Sequence, residues 1–296
     1  MVQSNVDFSV IIPAYNEGMV IGPVIQRLVT HLNTLNRTYE VLVISDGSTD
    51  ETNRVVKEFE SPVRLIELPY NLGNGAAIKT GVRRALGEIL ICMDADGQHR
   101  PEDVERFLKD CERFDMVVGA RSKGSQAGIH RSVANSVYNL FASYVTGRRI
   151  EDLTSGFRAM KTNVAKRFVG LLPNGFSYPT TITLSMMRSG YSVKYIPIDT
   201  EQRVGKSKIR IFSDGPKFLL VIMKICMLFS PLKIFLPVSS FLFLMGISYY
   251  GYTFFAEHRF TNMSMLLFST SMIVFMMGLI AEQGAQIRSE RAEQDV

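Results

Sequence analysis

Cysteine is scarce in this chain: three residues in 296, at Cys92, Cys111 and Cys226, with no C-x-x-C pair. An odd, scattered set excludes a disulfide framework or a thiolate zinc site and points to reduced thiols. The G-x-x-x-x-G-K-[ST] phosphate loop is missing too, which disfavours a nucleoside triphosphatase. Met1 to Asp7 is short and polar, so no secretory leader is expected there. No internal repeat or low-complexity tract is present. Charge is in short supply in one region only. Ile234 to Ala256 contains no charged residue, and neither does Phe260 to Ala281.

Those two segments hold much of the chain's apolar content, 46% overall. Each is about 20 residues, enough to cross the roughly 30 Å hydrocarbon core of a bilayer. Only Glu257, His258 and Arg259 separate them, so they read as a hairpin with both ends on one side. Lys208, Arg210, Lys217, Lys224 and Lys233 precede it, and Arg288 and Arg291 follow it. The positive-inside rule places that side, and the globular part with it, in the cytoplasm at the inner (cytoplasmic) membrane of the cell. The net charge of +5 is concentrated between Arg203 and Lys233. Local basicity beside apolar segments suits membrane lipid rather than nucleic acid. Lys217 and Lys224 share one face of an otherwise apolar stretch, Pro216 to Phe229, which fits an interfacial helix. The expected division is residues 1–210 as a globular domain, 211–232 as an interfacial amphipathic helix, and 233–296 as a transmembrane hairpin with a short tail. Two lone helices could also pack with copies of themselves, so a homo-oligomer is left open.

Up to about Thr200 apolar runs alternate with helical patterns. Phe8 to Ile12, Val41 to Ile44, Val63 to Leu68, Ile89 to Met93 and Met116 to Val118 read as strands. Val20, Ile21, Val24, Ile25, Leu28 and Leu32 make one helix face. Ser48 and Glu51 fit a capping box, and Pro101 suits the first turn of another helix. Alternation at this spacing implies a mainly parallel, Rossmann-like α/β sheet with helices on both sides. Ligands of such sheets sit outside the carboxyl ends of the strands.

The polar clusters fall at those ends. Ile89 to Met93 stops at Asp94 and Asp96, which point the same way in an extended chain. Two hard carboxylates there suit Mg²⁺ or Mn²⁺, particularly with phosphate oxygens completing the shell. Asp46 in S-D-G-S-T-D could form a turn or accept a nucleobase N–H. The N-L-G-N-G-A-A run offers a glycine turn before a helix, a place where backbone amides meet phosphate.

In combination, V-I-I-P-A-Y-N-E, V-I-S-D-G-S-T-D-E-T, N-L-G-N-G-A-A and M-D-A-D-G-Q-H resemble the family-two glycosyltransferases of the GT-A fold. D-A-D-G-Q-H and D-L-T-S-G-F-R resemble the polyprenyl-phosphate sugar synthases, the group that includes dolichyl-phosphate mannose synthase. The resemblance spans roughly Phe8 to Lys208. It implies that Pro13, Ala14, Tyr15, Glu17, Asp46, Gly75, Lys79, Asp94 and Ala95 hold the donor nucleotide. It implies metal ligation by Asp94, Asp96 and Gln98, and it places Arg121, Arg131, Arg203 and Lys206 near the donor and acceptor phosphates. Guanidinium forks suit phosphate geometry. Asp152 is either a general base, as in relatives that glycosylate hydroxyls, or a positioning group, since a phosphate acceptor is already anionic. Processive polysaccharide synthases of the family carry Q-x-x-R-W; this chain has no tryptophan. The expected activity is inverting transfer of one hexose from a nucleoside-diphosphate sugar to a polyprenyl phosphate. Asp46 can accept from uracil or guanine, so UDP-glucose and GDP-mannose both stay open.

Overall fold

The first strand, β1 (Phe8–Ala14), is buried throughout except at a half-exposed Pro13. Successive side chains point to opposite faces, so such a strand must be covered on both. Phe8, Val10 and Ile12 pack with Ile21, Ile25 and Leu28 of α1 (Ile21–Leu32). Ile11 packs on the other side with Ala77, Ile78 and Val82 of α3 (Asn74–Arg84). Each large apolar side chain so enclosed contributes about 1.5–3 kcal/mol relative to exposure. The computed structural model describes residues 6–121, 139–140, 142–144, 146–175, 177–201, 220, 223, 226–227 and 230–294.

The remaining elements of this part are β2 (Tyr39–Ser45), α2 (Thr52–Lys57), β3 (Val63–Glu67), β4 (Ile89–Cys92), α4 (Asp103–Cys111) and β5 (Met116–Arg121). They are followed by β6 (Arg158–Lys161), α5 (Thr162–Phe168), α6 (Tyr178–Arg188) and β7 (Val193–Ile198). The strands form one seven-stranded sheet in the order β3-β2-β1-β4-β6-β5-β7. All pairings are parallel except those of β6, which runs antiparallel to both β4 and β5. The C-terminal ends of β1, β2, β4 and β5 therefore open on one edge. Because β6 is reversed, the residues leading into it arrive at that same edge.

The five strands read from the sequence are present, as is the α1 face. Strands β6 and β7 and helix α6 were not anticipated. The capping box at Ser48 and Glu51 does not form: α2 has no side-chain cap from Glu51. Asp50 does the work instead, accepting the Thr52 N–H at 3.0 Å and the Gly18 N–H at 3.0 Å. Ser48 Oγ accepts the Asn16 N–H at 3.1 Å, tying together the two loops that follow β1 and β2.

The chain divides into two compact units, Met1–Val221 and Ile222–Val296. The second is built on α7 (Leu232–Glu257) and α8 (Asn262–Gln294). Their most apolar windows are only 11% and 17% buried, and side chains such as Phe255 and Tyr252 stand outward. Helices of a soluble core bury such residues; these present them all round, as lipid-facing helices do. The hairpin is held from inside by small residues and polar groups. Gly246 lies under Phe268, Gly278 lies under Phe235, and Ser271 Oγ donates to the Ser239 carbonyl at 2.9 Å. The Glu282 carboxylate accepts the Leu232 N–H at 3.0 Å, satisfying an otherwise orphaned first-turn amide. Left-handed His258 closes α7 and begins the turn. Helix α8 continues past Ala281 to Gln294, where a short tail was expected. The expected interfacial helix falls almost wholly outside the described residues.

Gly47 has φ of +67°, and a Cβ there would collide with the Tyr70–Asn71 backbone. Gly47→Ala is expected to destabilise the globular unit by roughly 1–3 kcal/mol, read as a lowered thermal midpoint of the detergent-solubilised protein.

Candidate active site

The open edge of the sheet is shaped by loops that bind one another. The Asn16 carbonyl oxygen Oδ1 accepts the Thr49 N–H at 2.8 Å, and Thr52 Oγ1 accepts the Glu17 N–H at 2.9 Å. These bonds fix the turn carrying Tyr15 and Glu17 beside the end of β2. Asp46 follows β2 and is almost fully buried. Its two oxygens accept the N–H groups of Leu72 at 2.8 Å and Gly73 at 2.9 Å. Asp46 is thus a clamp on the glycine turn. A carboxylate has about four acceptor positions, so its part in the turn leaves capacity for a ligand.

At the end of β4, Asp94 is partly exposed and Asp96 buried. Asp96 Oδ1 accepts the Gln98 N–H at 3.1 Å, turning the chain so that Asp94, Asp96 and Gln98 line one cavity. Gln98 is fastened by exchange with Glu201: its side-chain amide donates to the Glu201 carbonyl at 3.3 Å, and Glu201 N–H donates to its carbonyl at 3.0 Å. Glu201 is held in turn by Arg27 Nη1, 3.0 Å from both its oxygens. His99 is buried, stacked on Phe157 with centroids 4.7 Å apart, and its Nε2 is 3.4 Å from Asp94 Oδ2. Gly156 backs the same carboxylate, and any Cβ there would strike it. Among the described residues no three His, Cys, Asp or Glu side chains gather as a metal cage. Two carboxylates and one amide oxygen around space that glycine keeps clear fit Mg²⁺ or Mn²⁺, cations that retain water or phosphate oxygens.

Arg121 ends β5 and meets Asp152 through a fork. Nε donates to Oδ2 at 2.8 Å and Nη2 to Oδ1 at 3.0 Å, while Nη2 also reaches Thr154 Oγ1 at 2.7 Å. Asp152 further accepts the backbone N–H groups of Thr154 at 3.1 Å and Arg121 at 3.3 Å. Burial opposes the charge on Asp152, but Arg121's hydrogen bonds and charge outweigh it and hold the carboxyl below the ordinary range. Burial likewise works against Arg121, and Asp152 reverses it, raising the guanidinium. A carboxylate so engaged, of lowered basicity, is a poor general base. Its geometry is that of a group that aims Arg121, whose Nη1 stays outside this network while the residue lines the cavity.

The cavity has a volume of about 410 Å³. It gathers Pro13, Ala14, Tyr15, Glu17, Asp46, Asp94, Ala95, Asp96, Gln98 and Arg121 of the expected set. It does not gather Asp152, Gly75 or Lys79. The Gly75 N–H donates to the Gly175 carbonyl at 3.2 Å, and Lys79 Nζ donates to Asn174 Oδ1. The helix N-terminus expected to meet phosphate is instead occupied by the residues 173–175 turn. Arg131, Arg203 and Lys206 lie outside the described residues. The lining also includes Asn71, Gly73 and Asn74 of the glycine turn, and His99, Thr154, Ser155 and Gly156, which sit in the quoted motifs without an assigned role. Tyr178, Pro179, Thr180 and Thr200 also line it, and no local sequence signal marks them.

Two family profiles match: Glycosyl transferase family 2 over residues 9–169, and the GtrB C-terminal hairpin over residues 230–287. The chain belongs to glycosyl transferase family 2. As a glycosyltransferase of that family, it is similar along most of its length to curated relatives. The undecaprenyl-phosphate 4-deoxy-4-formamido-L-arabinose transferase of Photorhabdus laumondii is 25% identical, covering 95% of this chain and 90% of the relative. The protein of the same description from Klebsiella pneumoniae is 28% identical, covering 81% and 73%. Among solved structures, glucosyl-3-phosphoglycerate synthase from Mycobacterium tuberculosis with Mn²⁺ and UDP-glucose superposes with a TM-score of 0.61. That alignment covers 76% of this chain and 80% of the synthase at 17% identity, a likeness of fold.

The Arg121–Asp152 pair generates a pH prediction. Asp152 has a folded pKa below its unfolded value of about 3.9, so its contribution to stability is fully present above about pH 4. It is lost as pH falls through the lower folded value, while Arg121 stays protonated. Asp152→Asn should flatten this acid limb and lower stability at pH 7 by about 2–4 kcal/mol, measured by denaturant unfolding at a series of pH values.

Proposed function

We propose that this glycosyltransferase moves a single hexose from a nucleoside-diphosphate sugar to a polyprenyl phosphate at the cytoplasmic face of the membrane. The observation that carries the reading is the commitment of Asp152 to Arg121. With that carboxylate engaged, the site offers a cation where a hydroxyl-glycosylating enzyme needs a base. An acceptor that arrives anionic needs the cation and not the base. The relatives' acceptor, undecaprenyl phosphate, is of this kind by name, and the two lipid-facing helices suit a substrate that never leaves the bilayer.

In the proposed reaction an acceptor phosphate oxygen forms a bond to the anomeric carbon as the bond from that carbon to the diphosphate oxygen breaks. The electron pair leaves with the nucleoside diphosphate, and the configuration inverts. Pro13, Ala14, Tyr15, Glu17 and Asp46 would hold the nucleoside, with Asp46 accepting from the base. Arg121 would face the phosphates, joined by Arg131, Arg203 and Lys206. Asp94, Asp96 and Gln98 would hold Mg²⁺ or Mn²⁺, which when bound supplies electrostatic stabilisation to the diphosphate. The positive-inside pattern supports a cytoplasmic orientation.

Asp96→Ala should reduce transfer below about one part in a thousand while leaving the thermal midpoint within a few degrees, as expected for loss of a preorganised electrostatic group. Purified protein with Mn²⁺ and undecaprenyl phosphate, offered labelled UDP-glucose, UDP-N-acetylglucosamine or GDP-mannose in turn, identifies the donor. Wild-type turnover in Asp96→Ala would overturn the metal assignment.

A further inference from the structure

Among the described residues, Arg158 is the largest side chain that is fully buried. It opens β6 opposite Cys92 of β4. Its guanidinium donates from Nη1 to the Pro179 carbonyl at 2.9 Å and to Thr183 Oγ1 at 3.0 Å, and from Nη2 to the Ser155 carbonyl. The Tyr178 ring lies 5.8 Å from its Cζ. All three acceptors are neutral, Nε has no hydrogen-bond partner, and no ion pair includes the residue among the described ones. A guanidinium held in the interior without a counter-charge is costly, and an apolar side chain of similar volume is often the more stable choice. Stability alone therefore gives a poor account of a charge in this position.

Its surroundings give a better one. Ser155 and Pro179, whose carbonyls it grips, both line the cavity. Asp94 lies two residues beyond Cys92, about 7 Å further along the chain if extended, and Gly156 packs on the Asp94 carboxylate. Arg158 thus sets a buried positive charge two residues from Gly156, the residue packed on the Asp94 carboxylate.

We propose that Arg158 is a positioning residue of sugar transfer: it pins the Ser155 and Pro179 walls and sets a permanent positive charge behind Asp94. That charge loosens the acidic pair's hold on a divalent cation and favours the negative charge that gathers on the departing diphosphate. The inference rests on the assignment of the cavity to the donor and of Asp94 and Asp96 to the metal. As the bond to the anomeric carbon breaks, one further negative charge develops on the leaving group. A buried cation already in place stabilises it without reorganisation.

The sign of one measurement separates this role from scaffolding. Full-length protein in detergent is titrated with Mn²⁺ alone by calorimetry, and sugar transfer is followed in parallel. Arg158→Gln removes the charge but keeps a donor for the carbonyls. It should bind Mn²⁺ at least about tenfold more tightly, as expected for removing a buried unit charge near a divalent ion. Its kcat should fall about tenfold or more with a smaller change in donor KM. Arg158→Lys keeps the charge and should return Mn²⁺ affinity to the wild-type value. A scaffolding role predicts the opposite sign, because displaced walls disturb Asp94 and weaken the cation in both variants. Unchanged or weaker Mn²⁺ binding by folded Arg158→Gln overturns the proposal. If Arg158→Gln does not fold, Arg158→Met, which removes the charge and keeps an apolar side chain of similar length, decides: tighter Mn²⁺ binding supports the proposal, and unchanged or weaker binding overturns it. The titration needs no nucleotide or lipid, so wild-type protein that transfers nothing would count against the proposed reaction without obscuring this result.

Discussion

The antiparallel pairing of β4 with β6 is the constraint on which the site depends. A parallel strand in the β6 position would bring its far end to the open edge. Reversal brings the Thr154–Gly156 turn there instead, directly against Asp94. Gly156 then leaves room for the carboxylate, and Arg158 falls opposite Cys92. The same turn carries Thr154, which joins Asp152 in holding Arg121. One strand direction therefore brings Asp94 and the turn that holds Arg121 to one cavity.

Charge is arranged with a consistent logic around that cavity. Asp94 and Asp96, the carboxylates proposed to meet a cation, line the space. Asp152 is instead buried, accepts bonds from Arg121 and Thr154, and is held toward its charged form. Asp46 is likewise spent in part on its own protein, holding Leu72 and Gly73. Ionised groups satisfied by several donors stay in place, which keeps the site preorganised.

Much of this was legible in the sequence, for physical reasons. Strands β1, β2 and β4 are covered on both faces and so read as near-continuous apolar runs; α1 has one wet face and reads as a stripe. The clusters at their ends were legible because a carboxylate or glycine after such a run has few purely structural uses. The rest was hidden by the same rules. Strand β6 is four residues long, with Arg158 at one end and Lys161 at the other, so its burial leaves no apolar signature. Strand β7 contains Pro197 and lies at the sheet edge, where proline is tolerated. Helix α6 is buried almost all round by Thr180, Thr181, Thr183 and Ser185 among apolar residues, which erases the periodicity of an amphipathic helix. Gly75 and Lys79 looked like phosphate ligands because a glycine turn before a helix is a common anion site. Only the fold reveals that residues 174 and 175 already occupy those donors.

The central claim is that the acceptor brings its own negative charge, so Asp152 serves Arg121 and not proton transfer. The most direct test compares undecaprenyl phosphate with undecaprenol, its dephosphorylated counterpart, as acceptors for labelled donor in Mn²⁺-containing detergent solution. The account predicts label in the organic phase with the phosphate and none above background with the alcohol. Comparable transfer to undecaprenol would contradict it and return Asp152 to the role of base.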